Sequence, residues 1–284
     1  MIDIMLNQEQ IRELKRFAAQ IRIETIREIA GLGMGHIGGT MSLAEVLAVL
    51  YGGVMKIDPA NPGWEERDWL VVSKGHAGPA VYATLALKGY FPMEELNTLN
   101  RPGTNLPSHC DRNKTIGVDM TTGSLGQGAS SAMGIALGNR IDGRDSYTYL
   151  ILGDGECQEG QVWETAMFAA QQRLSHLIAF LDNNWQQADG YIRDICDIGD
   201  VAKKFEDFGW FTHTVDGHDV AQIYEAIIKA QEQNGQPTLI VLNTIKGKGC
   251  SFAEGKVNNH NMPVTQEMMV EAVKRLETVL ASFV

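Results

Sequence analysis

Asp154 and Asn184 stand thirty residues apart, and each follows a short apolar run. Tyr147–Leu152 leads into Gly153-Asp154-Gly155-Glu156, and Leu177–Leu181 leads into Asp182-Asn183-Asn184. That separation is about one strand–helix–strand crossover, so it predicts that the two side chains emerge together at one sheet edge. A carboxylate, an amide oxygen and a backbone carbonyl just beyond Asn184 make a hard oxygen set. Such a set suits Mg²⁺ or Ca²⁺, with ligand phosphates and water filling the remaining positions. Gly155 has no side chain to keep a diphosphate from the backbone. A helix starting near Gly160 would present its positive end to the same anion.

Histidines supply the other reactive groups. His36 lies in Gly35-His36-Ile37-Gly38 and His76 in Ser73-Lys74-Gly75-His76, where flanking glycines permit close approach to a ligand. His109 and His260 sit in less glycine-rich settings, while His176, His213 and His218 fall in no motif and read as structural. Lys246 and Lys248 fit two descriptions equally, as counter-charges to a diphosphate or as solvated surface lysines.

The elements that must position these groups follow from the apolar pattern. Trp69–Ser73, Tyr147–Leu152, Leu177–Leu181, Phe211–Val215 and Thr238–Leu242 are short and apolar almost throughout, as strands buried on both faces are. Helical spacing recurs over Leu43–Leu50, Ala77–Lys88, Gly126–Asn139, Gly160–Arg173 and Val220–Gln233. A long helix is expected from Gln8 to about Ala30, and a last one over Met268–Leu280. The alternation predicts an α/β fold, a doubly wound, mostly parallel sheet with helices on both faces, and one domain over residues 1–284. Ligands of such sheets sit outside the carboxyl ends of the strands, where the motifs fall.

A net charge of −11 leaves a nucleic-acid role without electrostatic support. Cys110, Cys157, Cys196 and Cys250 are widely spaced with no C-x-x-C pair, which fits neither a zinc site nor a disulfide framework. The N-terminal stretch is charged and amphipathic, without an apolar core and cleavage site, and no run is expected to span a membrane. These features point to a cytoplasmic protein.

From Gly153 to Gly190 the sequence GDGECQEGQVWETAMFAAQQRLSHLIAFLDNNWQQADG resembles the transketolase version of the thiamine-diphosphate motif. The resemblance extends from about Glu9 to about Pro263. It takes in Gly35-His36-Ile37-Gly38, Ser73-Lys74-Gly75-His76, His109, the run Thr121-Thr122-Gly123-Ser124-Leu125-Gly126-Gln127-Gly128, and Thr244–Gly249 followed by His260. It implies a thiamine-diphosphate-binding fold in which Asp154, Asn184 and the Gln186 carbonyl hold Mg²⁺ or Ca²⁺. Gly123, Ser124, Leu125, Gly155, Glu156, Asn184 and His76 would contact the cofactor, with His76 on the diphosphate side. His36, His109 and His260 would bond the sugar hydroxyls. Three positions depart from the family: Ser108-His109-Cys110 replaces G-H-P, Asn261 follows His260, and Trp185 follows Asn184, where a small residue is usual.

In full-length transketolases the glutamate that activates the aminopyrimidine lies on a second domain, and this chain ends at Val284 where that domain would begin. The resemblance therefore implies half an enzyme. A C-terminal transketolase-like subunit would supply the glutamate in an α₂β₂-like heterotetramer, which would move a two-carbon ketol unit from a ketose (phosphate) donor to an aldose. Three alternatives stay open at this point. They are a half of a deoxyxylulose-phosphate-synthase-like enzyme, the α-subunit of a 2-oxoacid dehydrogenase, and a non-catalytic module that retains cofactor affinity.

Overall fold

Alternate residues of each central strand belong to different cores. Leu70, Val72, Tyr149, Ile151, Ile178, Phe180, Ile240 and Leu242 pack on one face of the sheet, and Val71, Leu150, Leu152, Ala179, Leu181, Leu239 and Val241 on the other. Period-two alternation with both faces apolar is what a sheet covered on both sides demands. The computed structural model describes residues 5–283. Its main sheet holds β1 (Trp69–Val72), β2 (Thr148–Gly153), β3 (Leu177–Asn183), β4 (Phe211–Asp216) and β5 (Thr238–Asn243). The order is β1-β2-β3-β5-β4 and every neighbouring pair is parallel.

The longer helices are α1 (Gln8–Leu32), α2 (Ile37–Met41), α3 (Ala44–Val49), α4 (Gly78–Leu87), α5 (Gln127–Ile141), α6 (Gly160–Gln171), α7 (Val201–Asp207), α8 (Val220–Gln231) and α9 (Gln266–Ala281). Leu14, Leu47, Val81, Ile223 and Leu276 bring α1, α3, α4, α8 and α9 to the first face. Ala129, Val162 and Phe205 bring α5, α6 and α7 to the second. The chain steps from β1 to β3, skips a place to β4 and returns to β5. Crossovers keep one hand, so the return step puts α8 on the opposite face from α6 and α7. Reversal opens a crevice at the carboxyl ends of the middle strands.

The five expected strands form within two residues of their expected bounds. Helix α1 runs slightly past Ala30. Asn7 begins it with a reciprocal capping box to Gln10, and Gly33, at φ +92°, ends it. Two differences stand out. Helix α7 was not anticipated, because barely two turns show little periodicity; its signal is Asp200, which caps the amide of Lys203 at 3.0 Å. The expectation that no run could span a membrane needs qualifying, since Ile37–Val54 has a mean hydropathy of 1.5 over 18 residues. In the fold that segment is α2, α3 and a following π-turn, and 83% of it is buried, which makes it core.

Candidate active site

Two loops at the carboxyl edge bring Asp154 and Asn184 together. Asp154 follows β2 and Asn184 follows β3, and both line a cavity of about 390 Å³. Asp154 accepts from the Gly155 amide at 2.8 Å with one carboxylate oxygen and from the Trp185 amide with the other. Burial, then the neighbouring Asp182 carboxylate, pushes its pKa up to about 7. A carboxyl so placed is a poor anion by itself and a good one beside a cation. Asn184 Oδ1 accepts from the Gln186 amide at 3.1 Å, and the Gln186 side-chain oxygen is buried without a partner. Among the described residues no group of three or more His, Cys, Asp or Glu suits a metal. The oxygen set is thus one carboxylate plus amide and carbonyl oxygens, which fits a hard cation only when ligand phosphates complete its shell.

Trp185 has φ +63°. The left-handed region disfavours residues with a Cβ by about 1–2 kcal/mol, which gives a physical reason for a small residue at this position. The residue is 61% exposed.

Two lysines answer the question of counter-charge. Lys74 and Lys246 are both buried and both line the cavity. Lys74 forms an ion pair with the fully buried Asp182, which also accepts from Ser42 Oγ at 2.7 Å and Thr244 Oγ1 at 2.5 Å. Lys246 Nζ donates to the Gln187 carbonyl at 3.0 Å, and among the described residues no carboxylate pairs with it. Burial, then Lys74, lowers its pKa to about 8. A buried ammonium without a counter-ion marks a place for an anion. Lys248 instead pairs with Glu254 at 3.1 Å, away from the cavity. Sequence alone did not separate these lysines, and Lys74 went unnoticed inside its own motif.

Four imidazoles line the same cavity. His36 stands 5.5 Å, centroid to centroid, from His76 and 5.4 Å from both His109 and His260. Glycines permit this crowding. A Cβ on Gly38 would meet the backbone oxygen of Asn259 at 2.6 Å, so the strand of chain before His260 can lie against the turn after His36. A Cβ on Gly75 would strike the Thr122 carbonyl carbon at 2.6 Å, and Cys110 donates to the Gly75 carbonyl, which docks the His109 loop beside His76. Burial lowers the pKa of all four, that of His260 to about 4 with Lys246 contributing. At neutral pH each ring is uncharged and offers one donor and one acceptor.

Gly123, Leu125, Gly155, Glu156 and Gln186 also line the cavity, joined by Gln158, Glu159 and Gln187, which sequence reasoning missed. Two of the residues expected at the cofactor also have structural partners. Ser124 is exposed and lies outside the cavity lining; its carbonyl accepts from Gln127 to close the turn before α5. Glu156 does reach the cavity, but its carboxylate is engaged by Ser73 Oγ and the amides of Gly126 (2.8 Å) and Gly153 (3.0 Å). It stitches three loops together and has little left for a ligand. His176 and His213 lie outside the cavity; His218 is a half-buried structural residue.

A doubly wound α/β sheet with a polar cavity at the carboxyl ends of its strands is the architecture of a thiamine-diphosphate-type binding domain. The profile of the family described as "Transketolase, thiamine diphosphate binding domain" matches residues 14–279, and the chain belongs to the transketolase family. It is 56% identical over 269 residues to a 6-deoxy-6-sulfo-D-fructose transketolase subunit, SqwG, of Clostridium sp. (strain MSTE9), covering 95% of this chain and 98% of that one. A subunit of the apulose-4-phosphate transketolase of Phocaeicola vulgatus is 33% identical, with 94% and 95% covered. Among solved structures, a transketolase of Pichia stipitis superposes with a TM-score of 0.87 at 31% identity, over 94% of this chain and 40% of that chain. Single-chain transketolases are thus matched over less than half their length.

Proposed function

We propose that this chain is the diphosphate-binding subunit of a split transketolase, which transfers a two-carbon ketol unit with Mg²⁺–thiamine diphosphate. The observation that carries this reading is one cavity lined together by Asp154, Asn184 and Gln186, by Lys246, which no carboxylate among the described residues pairs with, and by four clustered neutral histidines. Asp154, Asn184 and the Gln186 carbonyl would hold the cation, and Lys74 and Lys246 would neutralise diphosphate oxygens. Bound thiamine diphosphate supplies the carbanion chemistry that breaks and remakes the carbon–carbon bond. His36, His109 and His260 then bind and orient the sugar hydroxyls and donate hydrogen bonds where negative charge develops on oxygen. A companion subunit supplies the glutamate that activates the aminopyrimidine. Relatives named as subunits, matched over nearly their whole length, favour this division over a single-chain enzyme. The 56% identity to a sulfofructose transketolase subunit favours a ketose bearing a terminal anion, 6-deoxy-6-sulfofructose first among them.

Co-purification with a transketolase-like companion, followed by ketol-transfer assays on 6-deoxy-6-sulfofructose and fructose 6-phosphate, tests the proposal. The pair should be active, the chain alone inactive at any cofactor concentration, and the companion's glutamate indispensable. Turnover by the isolated chain would refute the split-enzyme reading.

A further inference from the structure

Lys246 sits in the middle of a short loop whose two ends lead to one buried carboxylate on a different element. Glu45, at the start of α3, accepts from Arg22 of α1 in a two-pronged contact, 2.5 Å to one oxygen and 2.6 Å to the other. The same Arg22 donates through Nε to the carbonyl of Lys248 at 3.0 Å and through Nη2 to that of Met41 at 3.2 Å. Glu45 Oε2 also faces His218 Nδ1 at 3.1 Å. The other nitrogen of that ring, Nε2, accepts from the amide of Ile245 at 2.9 Å. An acceptor role at Nε2 puts the ring proton on Nδ1, where Glu45 receives it. Arg22 and Glu45 are 6% and 8% exposed, so water competes poorly for these contacts.

We infer that Glu45 is a positioning residue: through His218 and Arg22 it fixes both ends of the Ile245–Lys248 segment and so sets where the Lys246 ammonium meets its anion. The middle of the segment is held separately, by the Gly247 amide on the Gly38 carbonyl (2.9 Å) and by Asn259 Nδ2 on the Lys246 carbonyl (3.2 Å). Those bonds set its height above α2. The Glu45 contacts set its ends, and both are needed because, among the described residues, the Lys246 ammonium has no carboxylate of its own to hold it. A carboxylate is suited to the task. It can take both prongs of a guanidinium and still accept from an imidazole, and so fixes the rotamer of one and the tautomer of the other. The idea rests on the reading of the cavity as a diphosphate site.

Hydrogen exchange of the full chain, without ligand, gives the direct test. In Glu45→Gln the peptide covering Ile245–Lys248 should exchange about tenfold faster, the scale of one lost net hydrogen bond, while β3 and β5 stay protected. His218→Phe should reproduce the change, and His218→Gln, which keeps an acceptor, should largely restore protection. If Glu45→Gln does not fold, the His218 pair carries the test. Calorimetry with Mg²⁺–thiamine diphosphate then asks whether the effect runs through Lys246. Glu45→Gln should weaken binding about tenfold in the wild-type chain and less than about twofold in a Lys246→Met background. Unchanged exchange, or an equal loss in both backgrounds, overturns the inference. Failure of the wild-type chain to bind the cofactor while the exchange result holds would instead count against the diphosphate reading.

Discussion

The side-chain amide of Asn184 donates to Asp182 Oδ2 at 3.0 Å, and this contact fixes which end of the amide is left for the cavity. With its NH₂ group held, Asn184 has only Oδ1 to offer a cation. Asp182 is itself fully buried and locked by Lys74, Ser42 and Thr244. One carboxylate thus orients both the Asn184 amide, proposed to offer an oxygen to the cation, and the Lys74 ammonium, proposed to face the anion.

Asp182→Asn should therefore weaken Mg²⁺-dependent cofactor binding by roughly 10–100-fold, the usual effect of removing a group that orients a metal ligand. Asp154→Ala, which deletes the carboxylate of the oxygen set, should be more damaging still. Calorimetric titration of the subunit pair at fixed Mg²⁺ measures both, and an unchanged affinity in Asp154→Ala would remove the cation from that wall.

The histidines give a different signature. His36→Ala, His109→Ala and His260→Ala should lower kcat/KM for ketose donors by roughly 10²–10³-fold and leave cofactor affinity nearly intact. Normal turnover in all three would mean that the substrate does not lie on this wall.

Lys246 makes cofactor binding depend on pH in the alkaline range. Only its protonated form pairs with a diphosphate, and burial holds its pKa at about 8. Below pH 8 the charge is present and this group imposes no pH dependence. Above it, each further pH unit should cost up to about tenfold in affinity, since a proton must be taken up on binding. Lys246→Arg keeps its charge throughout and should flatten the profile between pH 7 and pH 9.5. An unaltered slope in that variant would assign the titration to another group.

Glu45 contributes to stability on the acid side. Burial alone would raise its pKa, but Arg22 and His218 outweigh that cost and hold it at about 2, below the ordinary 4.5. A carboxyl depressed in the folded state contributes stability that is complete above about pH 4.5 and fades as pH falls towards 2. Glu45→Gln should lower Tm at neutral pH and flatten its decline across that window, which thermal scans from pH 2.5 to 6 would reveal.

Much of this was legible in the sequence because both signals are strongly constrained. Strands covered on both faces must be apolar at nearly every position, so Leu177–Leu181 and Thr238–Leu242 announce themselves. The spacing of Asp154 and Asn184 likewise encodes a crossover, and both reach the cavity. Other features depend on what approaches from far along the chain. Lys246 and Lys248 look alike until Glu254 claims one and the cavity wall encloses the other. Glu156 reads as a ligand residue next to Asp154 until Ser73 and Gly126, some 83 and 30 residues away, take up its oxygens. His218 carried no local signal because its partners, Glu45 and Ile245, lie on separate segments.

Trp185 gives the site an optical consequence. The residue stands largely in solvent while its amide bonds to the Asp154 carboxylate, between two residues that line the cavity. A cation drawing on that carboxylate would tug on the backbone that carries the fluorophore. The tryptophan that departs from the family's usual small residue should therefore make this protein self-reporting, its emission changing as metal and cofactor arrive, with no label attached.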